Sequence, residues 1–159
     1  MPRTLTVMGK PHGMQSAGRL LALDYGSHRI GAALSDPLGI TAQPLPAIRR
    51  RGDRRDIEAI GELVRDHSVE GVVLGLPLML NGTEGEQARR AREFGRKIFE
   101  QLGVPVTTWD ERMTTVQAER HLIASGVRRE KRKQLRDSLA ALLLLQSLLD
   151  FRNRDDASR

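Results

Sequence analysis

The first residue of the sequence whose placement suggests chemistry is Asp24, which ends the apolar run Leu20–Leu23. Four apolar residues between turn formers are typical of a strand buried on both faces of a sheet. An ionised carboxylate at the end of such a strand is costly unless it is paired or coordinates a cation. The neighbouring Gly26 would let a ligand approach the backbone closely. Alternatively, Asp24 simply caps the strand end in solvent, and this stretch alone leaves both interpretations open.

A second acidic site, Asp110-Glu111, follows directly on the strand predicted for Val104–Trp109. Polar residues at the carboxyl end of a strand in an α/β sheet lie where such sheets build their sites. These acids are also typical of a helix start, and a helix is predicted to begin near Thr114. The functional interpretation of Glu111 therefore depends on the other carboxylates.

A third acid, Asp137, lies on the predicted inward face of the final helix. That face follows helical spacing and comprises Asp137, Ala140, Ala141, Leu144 and Leu148. Its two alanines permit a close approach to the sheet, so the Asp137 carboxylate points inward, where an unpaired charge is expensive. A buried salt bridge to one of the many arginines is the competing explanation.

Together the three carboxylates predict a cation site. Asp24, Glu111 and Asp137 come from two strand ends and one helix, which can converge at one rim of the sheet. Carboxylates without a neutralising partner repel one another, and divalent cations between them remove this repulsion. Oxygen-only ligands suit Mg²⁺ or Mn²⁺ better than zinc. Two such ions about 4 Å apart can activate water and stabilise a leaving oxygen, so the expected chemistry is phosphodiester hydrolysis.

The positive charge of the chain is concentrated in two short stretches. The net charge is +6, and Arg49–Arg55 contains five arginines and one aspartate. The second stretch has six basic residues and one glutamate, the basic residues being Arg128, Arg129, Lys131, Arg132, Lys133 and Arg136. The rest of the chain is therefore net acidic. Such clustering predicts a surface that binds a polyanion such as nucleic acid, with solvated surface charge as the alternative.

Composition excludes several classes of function. Cysteine is absent, which excludes disulfides, thiolate metal sites and cysteine nucleophiles. The four histidines lack ligand-like spacing and there is no HExxH motif, so a zinc site is not expected. With only five aromatic residues, contacts with the backbone and shape of a duplex or junction are favoured over base stacking. No apolar run reaches the ~18–20 residues of a membrane span, and no signal peptide is recognisable, so a cytoplasmic protein is expected.

An α/β scaffold has to position these residues. Strands are predicted at Arg19–Tyr25, Arg29–Ser35, Thr41–Ile48, Gly71–Leu76 and Val104–Trp109. Four helices are predicted, and the first and the last span Asp53–His67 and Glu130–Asp150. The second starts at a capping box formed by Thr83 and Glu86 and ends at Leu102. The third starts at a capping box formed by Thr114 and Gln117 and ends at Gly126. Two prolines in the third strand mark it as an edge. We therefore predict a mixed five-stranded sheet, antiparallel at one edge and flanked by helices, after a disordered leader over residues 1–18.

Several segments also carry a family resemblance, namely LALDYGSHRIGAALSD, LGITAQPL, GLPLMLNGTEG, DERMTTVQAE and DSLAALLLLQSLL. They cover nearly all of Arg19–Asp150 and are similar to the YqgF family of the ribonuclease H-like superfamily. Members of that family are described as Holliday junction resolvases and as pre-16S rRNA nucleases. The resemblance implies one ribonuclease H-like nuclease domain over residues 19–150, followed by a polar tail over residues 151–159. It also implies that Asp24, Glu111 and Asp137 are the family's acidic triad.

Other positions of the family's motifs are matched by Arg29, Gly75, Pro77, Gly82, Gly85 and Arg112. Of these, Arg29 and Arg112 are candidate nucleic-acid ligands together with the basic stretch Arg128–Arg136. The expected activity is a metal-dependent endonuclease with two Mg²⁺ or Mn²⁺ ions that processes the 5′ end of pre-16S rRNA. A resolvase of four-way DNA junctions and a non-catalytic RNA- or ribosome-binding module remain alternatives. A homodimer is compatible with the sequence, and no membrane partner is expected.

An actin-like or sugar-kinase ATPase is a further class, because a strand that ends in Asp-x-Gly also opens the phosphate loop of that fold. That fold needs a duplicated core and a second Asp-x-Gly motif. A chain of 159 residues is too short for the duplication, and the second motif is absent. The nuclease is therefore the favoured prediction.

Overall fold

The fold is built around a mixed β-sheet. The structure is a computed structural model that describes residues 7–8, 18–111 and 132–157. Side chains are described for residues 18–111 and 136–154. The strands are β1 (Val7–Met8), β2 (Arg19–Tyr25), β3 (Arg29–Ser35), β4 (Ala42–Arg49), β5 (Val69–Leu76) and β6 (Val106–Asp110). The described helices are α1 (Asp53–Asp66), α2 (Glu86–Leu102) and α3 (Arg132–Ala157). The strand order is β1-β6-β5-β2-β3-β4.

The topology of the sheet confirms the predicted fold class. Strands β2, β5 and β6 are parallel to one another, whereas β2, β3 and β4 form an antiparallel meander that ends in the edge strand β4. All five predicted strands are present. The sheet gains a sixth strand because Val7–Met8 pairs antiparallel with β6, inside the segment predicted to be a disordered leader. A strand of two residues is too short to show a hydrophobic period, so no sequence pattern predicts it.

The ends of the helices differ in detail from the prediction. Helix α2 begins after Gly85 with no side-chain cap, and the Thr83 hydroxyl bonds to Asn81 instead, so the predicted capping box at Thr83 and Glu86 is wrong. The predicted helix that starts near Thr114 lies outside the described residues. Helix α3 continues to Ala157, so the predicted boundary at Asp150 falls within a helix.

The two faces of the sheet bury separate apolar clusters because the side chains of a strand alternate between faces. In β2, Leu21 and Leu23 pack on the face covered by α1 and α2, whereas Leu20 and Ala22 pack on the face covered by α3. The second cluster is completed by Ala33, Val73, Trp109, Ala141, Leu142, Leu144, Leu145, Leu148 and Leu149. The α3 face of the sheet is the one that will matter for the candidate site.

Helix α3 packs on the sheet through a face slightly rotated from the predicted one. Ala141, Leu144 and Leu148 are buried as predicted, whereas Ala140 is exposed. Paired apolar residues, Leu144 with Leu145 and Leu148 with Leu149, widen the face and turn Ala140 out towards water. None of the helices in the described ranges combines the length and apolar character that a membrane crossing requires.

A hydroxyl group fixes the N-terminal half of α3 to the sheet. Between the pairs Ile30–Ile48 and Ala32–Leu45 the register of β3 and β4 shifts, which interrupts their ladder of hydrogen bonds. The Ser138 hydroxyl fills the interruption: it accepts from the Ala32 N–H at 3.1 Å and donates to the Leu45 carbonyl at 2.8 Å. Two backbone groups that the bulge leaves without a strand partner are thereby satisfied.

Replacement of this hydroxyl should therefore destabilise the fold. We expect Ser138→Ala to lower the free energy of unfolding by about 1–3 kcal/mol, because it leaves a buried donor and a buried acceptor unsatisfied. Ser147→Ala is the matched control, since the Ser147 hydroxyl is equally buried on α3 but has no hydrogen-bond partner in the described part of the chain. Urea unfolding of both variants measures the difference. Equal costs would show that the bridge contributes nothing specific.

Candidate active site

Three neighbouring parallel strands bring Asp24 and Glu111 to the same rim of the sheet. Asp24 lies near the end of β2, Glu111 follows β6, and Gly75 lies in β5 between these two strands. Alternation of side chains along β2 and β6 places both acids on the face covered by α3. The carboxyl ends of parallel strands are where α/β sheets build their sites, so the prediction of a site at this rim gains a structural basis.

The absence of a side chain at Gly75 makes room for Glu111. A methyl group on Gly75 would lie 2.7 Å from Glu111 Oε1 and 2.6 Å from Leu144 Cδ1, well inside van der Waals contact. The Glu111 side chain therefore lies across the backbone of β5, under α3, where any other residue at position 75 would displace it. Because β5 separates β2 from β6, this gap is what lets the Glu111 carboxyl reach towards Asp24.

Burial and a neighbouring carboxyl group keep Glu111 protonated at neutral pH. Burial, a hydrogen bond with the Asp24 carboxyl and the charges of Asp24 and Asp110 together raise the pKa of Glu111 to about 8. Glu111 Oε1 is buried and has no hydrogen-bond partner among the described residues. The Glu111 carboxyl group is thus hydrogen-bonded to Asp24, while its buried Oε1 stays without a partner in the described part of the chain.

Asp137 reaches the same rim from α3 through a second close approach. A methyl group on Gly31, which pairs with Asp24 across β2 and β3, would lie 3.0 Å from the Asp137 carbonyl oxygen and 3.6 Å from Asp24 Cβ. The backbone of Asp137 therefore lies beside Asp24. Its carboxylate is not directed to the other two acids but accepts a hydrogen bond of 2.6 Å from Arg29 Nη1.

The predicted triad is therefore only partly assembled. The salt bridge to an arginine, which the sequence left open as the competing explanation for Asp137, is present, and the Asp137 side chain keeps 23% of its exposure. Within the ranges that the structure describes, no three His, Cys, Asp or Glu residues lie close enough together to hold one metal ion. The structure brings Asp24 and Glu111 together, whereas the Asp137 carboxylate forms a salt bridge with Arg29.

The hairpin turn after Asp24 has a structural rather than a ligand-binding reason for its glycine. A methyl group on Gly26 would lie 2.5 Å from the Arg29 carbonyl oxygen, to which the Gly26 N–H donates at 3.1 Å. The tight turn between β2 and β3 thus requires Gly26, and it holds Arg29 near Asp137. The turn thus gives Gly26 a structural role, and the approach of a ligand beside it stays a prediction.

Arg50 supports the turn and is a positioning residue that the sequence reasoning missed. Its guanidinium donates to the Gly26 carbonyl at 3.0 Å, pairs with Asp53 and Asp56 at 2.8 and 2.7 Å, and lies 4.4 Å from the centre of the Tyr25 ring. The acids three and six residues further on were the available signal, but the stretch was interpreted only as a source of positive charge. Arg50 is therefore committed to the fold.

The remaining candidate nucleic-acid ligands are only partly described. Arg29 and Arg136 are exposed, and Arg29 is the one in contact with a predicted site residue. Arg132 and Lys133 belong to the first turn of α3, although their side chains are not described. The others lie outside the described residues, namely Arg112, Arg128, Arg129 and Lys131.

Comparison with known protein families identifies the chain. The profile of the RuvX family, described as Holliday junction resolvase, matches residues 18–151. The chain belongs to the RuvX family. Its relatives include a protein of Syntrophus aciditrophicus strain SB named "Putative pre-16S rRNA nuclease", 50% identical over 132 residues, which are 83% of this chain and 88% of the relative. A protein of the same name from Pelotomaculum thermopropionicum is 47% identical over 86% of this chain and 89% of its own.

Solved structures share the fold at low sequence identity. RuvC of Thermus thermophilus in complex with a Holliday junction substrate has a TM-score of 0.59 and 15% identity, over 84% of this chain and 96% of that chain. The resolvase of Fowlpox virus, in complex with Holliday junction DNA, has a TM-score of 0.52 and 11% identity, over 84% and 97% of the two chains. The member of the RuvX family described here therefore has a RuvC-like, ribonuclease H-like fold.

The gap at Gly75 can be tested by filling it. We expect Gly75→Ala to lower the free energy of unfolding by about 1–3 kcal/mol, because the added methyl group overlaps Leu144 and Glu111. Gly71→Ala is the control on the same strand, since its methyl group would meet only the end of the Leu20 side chain at 3.0 Å. Urea unfolding that finds equal costs for the two variants would contradict this account of β5.

The protonation of Glu111 predicts a pH dependence of stability. Its pKa is about 8 in the folded protein, above the ordinary value of 4.5, so the folded state binds the proton more tightly than the unfolded state does. The free energy of unfolding should then fall as the pH rises from about 4.5 to about 8. Glu111→Gln should flatten this slope in chelator-treated protein, whereas Glu58→Gln, at an exposed site, should leave it unchanged. Urea unfolding at pH 5.5 and 8 measures both, and equal slopes in wild type and Glu111→Gln would contradict the assignment.

Proposed function

We propose that this RuvX-family protein is a divalent-cation-dependent endonuclease that hydrolyses phosphodiester bonds in structured nucleic acid, with the 5′ end of pre-16S rRNA as its substrate. The names of the relatives support this substrate, and the family description supports nuclease chemistry. Such processing accompanies ribosome assembly, so we assign the protein to the cytoplasm. The catalytic residues in this proposal are Asp24, Glu111 and Asp137.

The observation that carries the proposal is the contact between Asp24 and Glu111 across Gly75. Two carboxyl groups are held together in a half-buried position, and one buried oxygen of Glu111 has no hydrogen-bond partner in the described part of the chain. A purely structural pair would be expected to satisfy that oxygen. Where burial and an adjacent acid keep Glu111 protonated, a divalent cation can take the place of that proton.

The donor set fits a hard cation. Among the described residues, Asp24, Glu111 and Asp137 offer carboxylate oxygens at the rim, which is the ligand type that Mg²⁺ and Mn²⁺ prefer. Asp24 and Glu111 would hold the ion, and Asp137 would join as a further ligand once Arg29 releases its carboxylate. A pair of ions, as the three acids suggest, would activate the attacking water and stabilise the leaving oxygen when bound.

The chain's own residues have separate tasks in this mechanism. Glu111 would hold the cation as a carboxylate, with its proton released to solvent, because a carboxyl group must be ionised to serve as a ligand. Leu144 and the backbone of Gly75 exclude water from the inner side of the pair, which strengthens the electrostatic interactions there. The Arg29 side chain is 59% exposed, so its guanidinium could turn from Asp137 to a substrate phosphate while the residue remains anchored on β3.

Cleavage of four-way DNA junctions is a second candidate function. The family description and the RuvC-like fold favour it, since both solved relatives are junction-resolving proteins in complex with junction DNA. Both substrates present the same phosphodiester to the carboxylates. The choice between them therefore depends on surfaces away from Asp24 and Glu111.

A comparison of wild type with Asp24→Asn tests the cation site. We expect Mn²⁺ or Mg²⁺ to stabilise the wild-type protein by about 2.7 kcal/mol at a hundredfold excess over the dissociation constant. Asp24→Asn should lose most of this effect and stay at least as stable without metal, because the amide can still accept the hydrogen bond of the protonated Glu111 carboxyl group and the substitution removes a partly buried charge. The control is Asp66→Asn, at the exposed end of α1. Thermal unfolding with and without Mn²⁺ measures all three proteins.

The same proteins decide the activity on a precursor 16S rRNA fragment and on a four-way DNA junction. Wild type and Asp66→Asn should cleave one of them, whereas Asp24→Asn should be slower by at least about a hundredfold, as expected when a metal-held nucleophile is lost. Binding without cleavage by the wild type would instead support the non-catalytic module. An Asp24→Asn protein that is much less stable without metal would make Asp24 a structural partner only.

A further inference from the structure

Two arginines face each other at the end of the β3–β4 hairpin. Arg29 and Arg49 are register partners in the two strands, so their Cα atoms are only about 5 Å apart. Like charges directly opposite each other destabilise a strand pair. Arg29 has Asp137 as a counter-ion, whereas Arg49 is exposed and makes no ion pair among the described residues. The hairpin thus carries a positive charge at a position where the fold gains nothing from it.

The positive surface continues from Arg49 towards α1. Arg49, Arg51 and Arg55 line an open hollow of about 450 Å³ between the end of β4 and the first turns of α1. Within the described ranges none of these three side chains makes an ion pair. The intervening arginines are used differently, because Arg50 pairs with Asp53 and Asp56 and Arg54 lies 3.7 Å from Glu58.

The carboxylates of this hollow do not neutralise it. Asp56 accepts hydrogen bonds from the Arg50 side chain and from the Arg51 backbone N–H, and Glu58 faces Arg54. Glu62, which lines the side of the hollow away from Arg49, is the remaining acid of the lining, and it makes no ion pair within the described ranges. An excess of exposed arginine therefore extends from the candidate active site along the end of the sheet.

We propose that Arg29, Arg49, Arg51 and Arg55, here called the arginine ridge, bind the phosphate backbone of the nucleic acid on one side of the scissile bond. The proposal rests on the proposed function for what happens at the carboxylates, and it assigns the path of the substrate beyond them. Arg29 lies against Asp137 at the site, and Arg49 is its neighbour across the strands. Two residues of chain span at most about 7 Å, so Arg51 is the next step along the same line.

A nucleic-acid backbone fits the ridge better than a general need for surface charge. Three of the four arginines of α2 are arranged in the opposite way, since Arg90 pairs with Glu86, Arg92 with Glu84, and Arg96 with Glu93 and Glu100. The fourth, Arg89, is exposed and makes no ion pair within the described ranges. The chain therefore supplies acids for most arginines of one helix and supplies no ion-pair partner for Arg49, Arg51 and Arg55 within the described ranges. Phosphates spaced regularly along a strand would relieve the repulsion between Arg29 and Arg49 and fill the hollow with bidentate partners.

Binding measurements across a salt series test the ridge. The protein is the Asp24→Asn variant in chelator, with or without Arg49→Gln/Arg51→Gln/Arg55→Gln, and the probes are a labelled four-way DNA junction and a labelled RNA hairpin. We expect the triple variant to bind at least one probe roughly tenfold or more weakly near 0.1 M salt. Its plot of log affinity against log salt should flatten by about 0.7–0.9 for each lost phosphate contact.

The matched control is Arg90→Gln/Arg92→Gln/Arg96→Gln in the same background, which removes the same charge from paired arginines. It should lose much less affinity and keep its salt slope. Thermal unfolding confirms that both triple variants are folded. Equal losses in the two triple variants would overturn the proposal, and so would an unchanged slope in the ridge variant. Competition by polyglutamate as strong as competition by unlabelled RNA of equal charge would also overturn it in favour of an acidic protein partner.

The experiment separates the ridge from the proposed function because it uses an inactive protein without metal. A loss of binding in the ridge variant, together with a wild type that cleaves nothing, would leave the ridge in place and remove the nuclease. Cleavage by the wild type together with unchanged binding in the ridge variant would support the nuclease and overturn the ridge. The probe that loses affinity also identifies whether the backbone at the ridge is RNA or DNA.

Discussion

The candidate site depends on the close approach of α3 to the sheet at two positions that carry no side chain. Gly75 leaves space for Glu111 and Leu144, and Gly31 leaves space for the backbone of Asp137 and Ser138. Both glycines lie on the α3 face, on either side of β2, which carries Asp24. A methyl group at either position would separate the helix from the sheet, and the three acids would no longer share one rim.

Electrostatic strain is the consequence of that approach. Packing of α3 over the rim removes water from Glu111 next to Asp24, and burial dominates the rise in its pKa. The protein relieves the strain with a proton at Glu111 and with the guanidinium of Arg29 at Asp137. Both the proton and the guanidinium can be replaced by another positive charge.

Features that depend on a local sequence pattern could be predicted, whereas contacts between segments far apart in the sequence could not. Apolar runs that end in Asp24 and before Asp110 located the strands of the site, and family motifs marked all three acids. The bond between Arg29 and Asp137 joins residues 108 positions apart, and the bridge of Ser138 to Ala32 joins residues 106 apart. In both pairs, the sequence around one residue does not indicate which residue is its partner. For the same reason Arg50 was counted as surface charge although its partners are a turn carbonyl and two acids of α1.

Helix α3, which begins only at Arg132, supplies both Asp137 and the cover over half of the core. During synthesis the strands that carry Asp24 and Glu111 are complete before this helix exists. Until it docks, Trp109 and the neighbouring apolar side chains of that face are open to water, and the rim lacks its third acid. Ser138 can form its bridge only when the bulge between β3 and β4 is already in place. A nascent chain can therefore complete its acidic rim only after the strands of the sheet have been synthesised.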